Sequence, residues 1–345
     1  MDRRSILIGL GLTGVRSVAA PRLIGDAGSA LAQDTEQTTK KNEPTASEHP
    51  WGTPVLDMHF HSRATPEADL LHLEGAGETM AVLLTRAPGQ LEISTAAISK
   101  YLGRFFLFTG VDVTSQDAID TLRKTGLAGT RGFGELSGAN IAIDGPEMQR
   151  VYKLAAEMQM PVLTHYQDYG YSSDRPLPPA NGFTRPQFAR LEAMLKAHPK
   201  TIFIGHGPSF WAHVSGDPGT DAYPSGPVKQ GGLSVKMLAD YPNLYGGLDA
   251  TSGINALHRD SAFARNFLAR HQDKLLFGSD CACLDGRGAG RNAGGEVLAE
   301  NSLMSLVTGK CLARVQLTQL KQLTSPDVFR KITWGNATKL LRLPV

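Results

Sequence analysis

Eight short runs rich in β-branched and aromatic residues, most of them separated by stretches with helical spacing, restrict this chain more than any other feature. The runs are Pro54–His61, Thr79–Thr85, Arg104–Asp112, Leu127–Leu136, Pro161–Tyr166, Thr201–Gly207, Asn243–Ala250 and Lys274–Asp280. Between them, Met148, Val151, Leu154, Ala155 and Met158 recur at the period of one helix face, as do Phe188, Leu191, Met194 and Leu195. Leu233, Met237 and Leu238 repeat the pattern, and so do Ala262, Phe263, Phe267 and Leu268. Strand alternating with helix predicts a parallel sheet covered by crossover helices. Eight strands favour an α/β chain closed as a (β/α)8 TIM barrel over an open doubly wound sheet. The open alternative is weakened further because no glycine-rich dinucleotide fingerprint follows the first strand.

The pattern continues past the eighth strand. Glu296–Leu306 and Val315–Leu323 read as extra C-terminal helices, and Ser325-Pro326-Asp327 reads as the cap and first turn of a last one ending near Leu341. The polar stretches Gln167–Arg185 and Gly207–Lys229 read as loops over the barrel mouth.

Composition bounds the function. Of 345 residues, 41% are hydrophobic and 20% charged, which allows a large core. The net charge of +2 lies entirely in residues 1–32, where four arginines face two aspartates; the remainder is formally neutral. No charge asymmetry therefore argues for nucleic acid or an acidic membrane as partner. Arg3-Arg4 precedes the apolar run Ile6–Leu12, and Ala30-Leu31-Ala32 has the small-x-small form of a cleavage site. Residues 1–32 thus resemble a twin-arginine export signal, although Asp2 and Arg16 depart from the usual pattern. The expectation is an exported, periplasmic protein, with residues 33–52 a flexible linker and residues 53–345 the barrel domain; a cytoplasmic protein follows if 1–32 is only an amphipathic tail. The apolar run is too short for a stable membrane anchor. The three cysteines, Cys281, Cys283 and Cys311, imply no disulfide framework. Cys281 and Cys283 could bind a soft metal, but no second pair completes a four-cysteine site, and they read as packing or pocket lining.

The chemistry gathers at strand ends. Asp57, His59 and His61 alternate along the first run, so on a regular strand they share one face, opposite Met58 and Phe60. Two imidazoles side by side make a platform for a metal. His165, His206 and Asp280 each close a hydrophobic run, at the C-terminal strand ends where barrel active sites are built. Imidazole nitrogens with a carboxylate oxygen suit Zn²⁺, and also Mn²⁺ or Fe²⁺. Glu135 ends the fourth run, where it can cap the segment that follows. Asp57 is placed to orient one of the two histidines. Arg86, Tyr166, Asp168, Tyr169, Phe210, Trp211, Arg287 and Arg291 follow strand ends, where they can line the mouth; Arg86, Tyr166 and Trp211 are the leading substrate contacts.

Together these residues resemble the amidohydrolase superfamily, in its amidohydrolase-related branch, from about Val55 to Leu343. The likeness rests on Asp57-Met58-His59-Phe60-His61, His165, Gly205-His206-Gly207, Gly278-Ser279-Asp280 and the closing Asn336-Ala337 segment. The resemblance implies His59, His61, His165 and Asp280 as metal ligands, with His206 catalytic or a ligand of a second metal, and it makes Glu135 a metal-ligand candidate on even terms with a loop cap. It implies a hydrolase in which a metal-activated water cleaves a C–N, C–O or lactone bond of a small molecule. Asp280 would orient that water and pass its proton on, and His206 would polarise a carbonyl. Two alternatives stand beside it: non-oxidative decarboxylation of an aromatic or unsaturated acid on the same site, and a non-catalytic metal- or ligand-binding barrel. The sequence leaves open the number of metals and whether the chain forms a homo-oligomer.

Overall fold

The computed structural model describes residues 49–85, 89–136, 142–165, 185–219, 221–291 and 302–344. Eight strands form one sheet in sequence order: β1 (Leu56–His61), β2 (Met80–Leu84), β3 (Phe105–Thr109), β4 (Gly132–Leu136), β5 (Pro161–His165), β6 (Ile202–His206), β7 (Leu244–Leu248) and β8 (Leu275–Phe277). Each pairs in parallel with the next. The sheet curls until β8 meets β1, where the Asp280 amide donates to the His59 carbonyl at 2.8 Å. The architecture is the expected (β/α)8 barrel, and every expected strand is present in shortened form.

Helices fill the connections: α1 (Pro66–Ala76), α2 (Gln90–Lys100), α3 (Ala118–Leu127), α4 (Pro146–Met158), α5 (Arg185–Ala197), α6 (Pro208–Ala212), α7 (Leu233–Asp240), α8 (Ala250–His258) and α9 (Ser261–His271). After β8 come α10 (Leu303–Val307), α11 (Leu312–Leu323), α12 (Pro326–Arg330), a single π turn over Lys331–Gly335, and α13 (Asn336–Leu341). Ser325 caps α12 through Val328 N with Pro326 in the first turn, as its sequence predicts. Among the described residues no helix is long and apolar enough to cross a membrane.

The periodic apolar residues become the outer core. Met148, Val151, Leu154, Leu191, Leu195, Phe267 and Leu268 are buried between helices and strands. One assignment shifts: Ala264, not Ala262, lies on the buried face of α9. Leu127 closes α3 rather than opening a strand, so β4 begins only at Gly132. The segment 207–229 starts with α6 instead of running wholly as a loop. The folded chain also reaches back before Thr53, because Trp51 donates to the Ala76 carbonyl at 3.0 Å. The export-signal residues, the stretch 166–184, Arg86 and residues 296–301 of an expected helix lie outside the described residues.

Inside the barrel, Leu56, Met58, Val82, Leu84, Phe108, Leu163, Ile204 and Leu276 form one apolar plug. Trp334, Ala337, Leu341 and Leu343 pack onto it. Asn336 holds them there, donating to the carbonyls of Gln272 (2.6 Å) and Leu275 (2.8 Å) at the start of β8. One end of the barrel is thereby closed by apolar side chains, and polar chemistry is left to the C-terminal strand ends.

Candidate metal centre

The first strand does not keep strict alternation. Its register slips between Asp57 and Phe60, as a bulge does when one extra residue enters a strand. Leu56 and Met58 face the barrel interior, Phe60 packs outward against Leu73 and Phe105, and His59 and His61 face the mouth. The expectation that Met58 shares the side of Phe60 is corrected by that slip, and so is the role of Asp57. Its Oδ1 accepts the amides of His59 and Ser279, both at 2.8 Å. Asp57 therefore fastens the main chains of β1 and the β8 end across the barrel seam, rather than orienting a ring. Burial, opposed by the bonds from Ser279 and His59, pushes its carboxyl up to about 6.

The ring of His59 is oriented by Asp249, at the end of β7. Asp249 Oδ2 lies 3.0 Å from His59 Nδ1, and its Oδ1 is hydrogen-bonded to His206 Nδ1. Burial opposes ionisation of Asp249, yet the two imidazoles it bridges hold it below the ordinary carboxylate range. With each Nδ1–H donated to Asp249, each Nε2 keeps its lone pair for the mouth. Sequence reasoning missed Asp249, although it closes Leu244–Leu248 as Asp280 closes its own run.

Four donor side chains meet at this mouth. His59 Nε2 and His61 Nε2 are 3.2 Å apart, and Asp280 Oδ1 lies 3.6 and 3.3 Å from them. Glu135 Oε2 is 3.3 and 3.5 Å from the same two nitrogens. Ligands held about 2.0–2.2 Å from a zinc-sized ion lie roughly 3.0–3.5 Å from their neighbours in the shell, so the donor set fits a divalent cation. Charge argues likewise. Burial works against protonation of His59, but Asp280, Glu135 and Asp249 raise its pKa well above the ordinary value. Asp280, resisted by burial but drawn by His59 and His61, is held ionised at about 2, and Glu135 is lowered well below its usual range in the same way. Such a buried cluster of carboxylates asks for a cation, and protons on the imidazoles take that part when no metal does.

The other oxygen of Glu135 turns to a second group. Glu135 Oε1 lies 2.5 Å from His165 Nδ1 and 3.5 Å from His206 Nε2. Glu135, left even between ligand and cap from sequence, is fully buried between the two groups. Depth separates the residues: the side chains of His59, Glu135, His206 and Asp249 are wholly buried, whereas His61 and Asp280 are each 25% exposed. From solvent, His61 and Asp280 are thus the first of these groups to be reached. Tyr223, 41% exposed, has its pKa raised by partial burial and by the charge of Asp280; in its segment the sequence singles out only Phe210 and Trp211.

Of the expected substrate contacts, Arg86 and Tyr166 lie outside the described residues. Trp211 does not line the mouth. It is 1% exposed, donates from Nε1 to the Gly247 carbonyl at 2.8 Å and stands edge-on to Phe210 and Phe267. The abrupt start of α6 after β6 turns both Phe210 and Trp211 into the core, where a Cβ on Gly246 would come within 3.0 Å of the indole.

A parallel eight-stranded barrel with imidazoles and carboxylates converging at its C-terminal strand ends defines a metal-dependent hydrolase scaffold. Consistent with that, a family model described as amidohydrolase matches residues 57–343, and the chain belongs to the amidohydrolase family. No curated protein matches the sequence. Among solved structures, a probable 2-pyrone-4,6-dicarboxylic acid hydrolase from Acinetobacter baumannii, crystallised with citric acid, is 16% identical with a TM-score of 0.52, covering 84% of this chain and 100% of that one. An amidohydrolase II structure is 15% identical with a TM-score of 0.53, covering 84% and 99%. An amidohydrolase from Burkholderia multivorans with bound zinc is 13% identical with a TM-score of 0.51, covering 85% and 100%. At these identities the likeness is one of fold.

Proposed function

We propose that this protein hydrolyses a C–N, C–O or lactone bond of a small molecule at a divalent-metal centre held by His59, His61, Asp280 and Glu135. The observation that carries the reading is the close triangle of His59 Nε2, His61 Nε2 and Asp280 Oδ1 at the exposed edge of a buried acidic cluster. A divalent cation held there supplies hydroxide near neutral pH by acidifying a water.

The protein's own groups do the rest. Asp249 fixes the tautomers of His59 and His206, so that the mouth receives lone pairs. Asp280, partly exposed at the edge of the cluster, is the carboxylate placed to take the proton of the attacking water and pass it to the leaving group. His206, expected to polarise a carbonyl or to bind a second metal, has a wholly buried side chain, which favours the second of these roles. With His165 and Glu135 it forms a donor group suited to a second cation. Zinc is the proposed ion, and export to the periplasm, carried by Arg3-Arg4 and Ala30-Leu31-Ala32, is part of the same reading.

Metal analysis of the purified protein, followed by a panel of lactones, esters, amides and carboxylic acids, tests this. New acid groups support hydrolysis, and lactones head the panel because a probable 2-pyrone-4,6-dicarboxylic acid hydrolase shares the fold. Release of CO2 without hydrolysis assigns the decarboxylase, and bound metal without turnover assigns a binding protein. Asp280→Asn should abolish turnover while retaining part of the metal; undiminished activity removes Asp280 from the mechanism.

A further inference from the structure

Beside the mouth, and sharing none of its donors, lies a second cluster whose residues come from three separate parts of the chain. His72 belongs to α1, Cys281 and Cys283 to the loop after β8, and Cys311 is the N-cap of α11. All four are buried, from 0% to 4% exposed. Their donor atoms all lie within 4.8 Å of one another. Cys281 Sγ is 3.4 Å from Cys283 Sγ and 3.8 Å from Cys311 Sγ, and Cys283 Sγ is 3.4 Å from His72 Nδ1. Around a tetrahedral zinc with sulfurs at about 2.3 Å and a nitrogen at about 2.0 Å, neighbouring ligands lie roughly 3.5–3.8 Å apart. From these distances and this donor chemistry we propose a structural Cys3His zinc site formed by His72, Cys281, Cys283 and Cys311.

Local groups suit three thiolates. The Leu312 amide donates to Cys281 Sγ at 3.2 Å from the first turn of α11, a twelve-residue helix whose N-terminal dipole favours negative sulfur. The Arg63 guanidinium donates to the carbonyls of Cys281 (2.7 Å) and Cys283 (3.0 Å), bringing positive charge to the same loop. His72 Nδ1 lies 2.9 Å from the Cys283 carbonyl, and its buried Nε2 has no hydrogen-bond partner. On binding, one Zn–N and three Zn–S bonds form while three thiol protons pass to solvent. With four protein ligands the shell is closed, as in structural rather than catalytic zinc sites.

The site would staple the loop that carries Asp280. That loop is pressed against α1 so tightly that a Cβ on Gly75 would lie 1.8 Å from the Asp285 carbonyl oxygen, and one on Gly286 2.2 Å from that of His72. Arg63 also donates to the His61 carbonyl at 3.0 Å, tying the staple to the mouth.

The test uses the full-length protein, purified under reducing conditions and loaded with Zn²⁺ or, after chelation, with Co²⁺. The expected result is a thiolate-to-cobalt charge-transfer band that survives in Asp280→Asn and disappears in Cys311→Ser, together with one zinc fewer per chain in Cys283→Ser and Cys311→Ser. Should the serine variants fail to fold, the unaltered protein decides: an organomercurial should release zinc to a colorimetric indicator as the three thiols are blocked. A cobalt-loaded protein without the band, no zinc released by the mercurial, or a disulfide among the three cysteines in non-reduced peptide maps overturns the proposal.

Discussion

Asp249→Asn is the substitution that most directly probes how the mouth is held ready. The wild-type carboxylate spends one oxygen on His59 Nδ1 and the other on His206 Nδ1, and all three side chains are wholly buried. Asparagine preserves the shape but presents one acceptor and one donor. The ring facing the new N–H must offer a lone pair at Nδ1, which moves its own proton to Nε2, the atom aimed at the metal. One donor to the cluster is lost without any cavity being made. Removing the partner that orients a metal-ligating histidine typically costs 10–100-fold in metal affinity, about 1.4–2.7 kcal/mol.

Competition of the apo-protein with a chelator of known affinity measures this directly, with no substrate required. Asp57→Asn is the control. Asp57 is just as buried, but it uses only Oδ1, and for two backbone amides; an asparagine oxygen can accept both. Metal affinity should fall at least ~10-fold in Asp249→Asn and stay near wild type in Asp57→Asn. Equal affinities in wild type and Asp249→Asn, or equal losses in the two variants, refute the tautomer argument.

Other outcomes follow from the same geometry. The raised pKa values of His59 and His61 mean that protons compete with metal at neutral pH, so apparent affinity should climb as pH rises through those values; chelator competition across about pH 6–9 checks the slope, and a flat profile removes the imidazoles from the donor set. Asp57 titrates in the opposite sense to a paired carboxylate: its pKa is raised from 3.8 to about 6, so it favours the fold below pH 3.8, and that contribution is lost as pH climbs through about 6. Asp57→Asn should therefore gain on wild type as pH rises from about 3.8 to about 6 and hold that gain above it, by up to ~3 kcal/mol of unfolding free energy from denaturant titrations. Gly278→Ala would set a Cβ 2.8 Å from the His59 Cβ and 3.1 Å from the Asp249 Cβ, and overpacking of that kind costs about 1–3 kcal/mol, read as a lowered Tm with weakened metal binding. Trp211→Ala should cost about 3–5 kcal/mol of stability in denaturant unfolding, the loss typical of a core aromatic; unchanged stability with raised KM would return Trp211 to the mouth.

The strand-end rule located His165, His206 and Asp280 because each ends a hydrophobic run; His59 and His61 were legible from their alternation along the first run, and Glu135 only from its place at the end of the fourth, all features local to a few residues. Asp249 obeys the same rule and could have been found by it. What the sequence concealed depends on relations between distant segments. The bulge in β1 leaves no mark in Asp57-Met58-His59-Phe60-His61, since every residue there is acceptable on either face; it becomes visible only where Asp57 reaches the Ser279 amide across the closing seam. Trp211 follows a strand end by position but the core by packing, because a helix begins immediately after Gly207.

The cysteines make the same point from the other side. Cys281 and Cys283 alone lack half of a four-ligand shell, and the missing half lies 30 residues downstream at Cys311 and 211 residues upstream at His72. Barrel closure makes that set complete, because α1 follows β1 and the Cys281–Cys283 loop follows β8, the two strands that meet at the seam. The same closure brings Asp280 to His59 and His61. One topological event thus assembles both clusters, and Arg63, bonded to the carbonyls of His61, Cys281 and Cys283, spans the ground between them. A perturbation of the cysteine cluster should consequently be felt at Asp280 through the loop's main chain, while loss of metal at the mouth should leave the cysteine cluster intact, since that cluster's donors depend on none of the mouth's side chains.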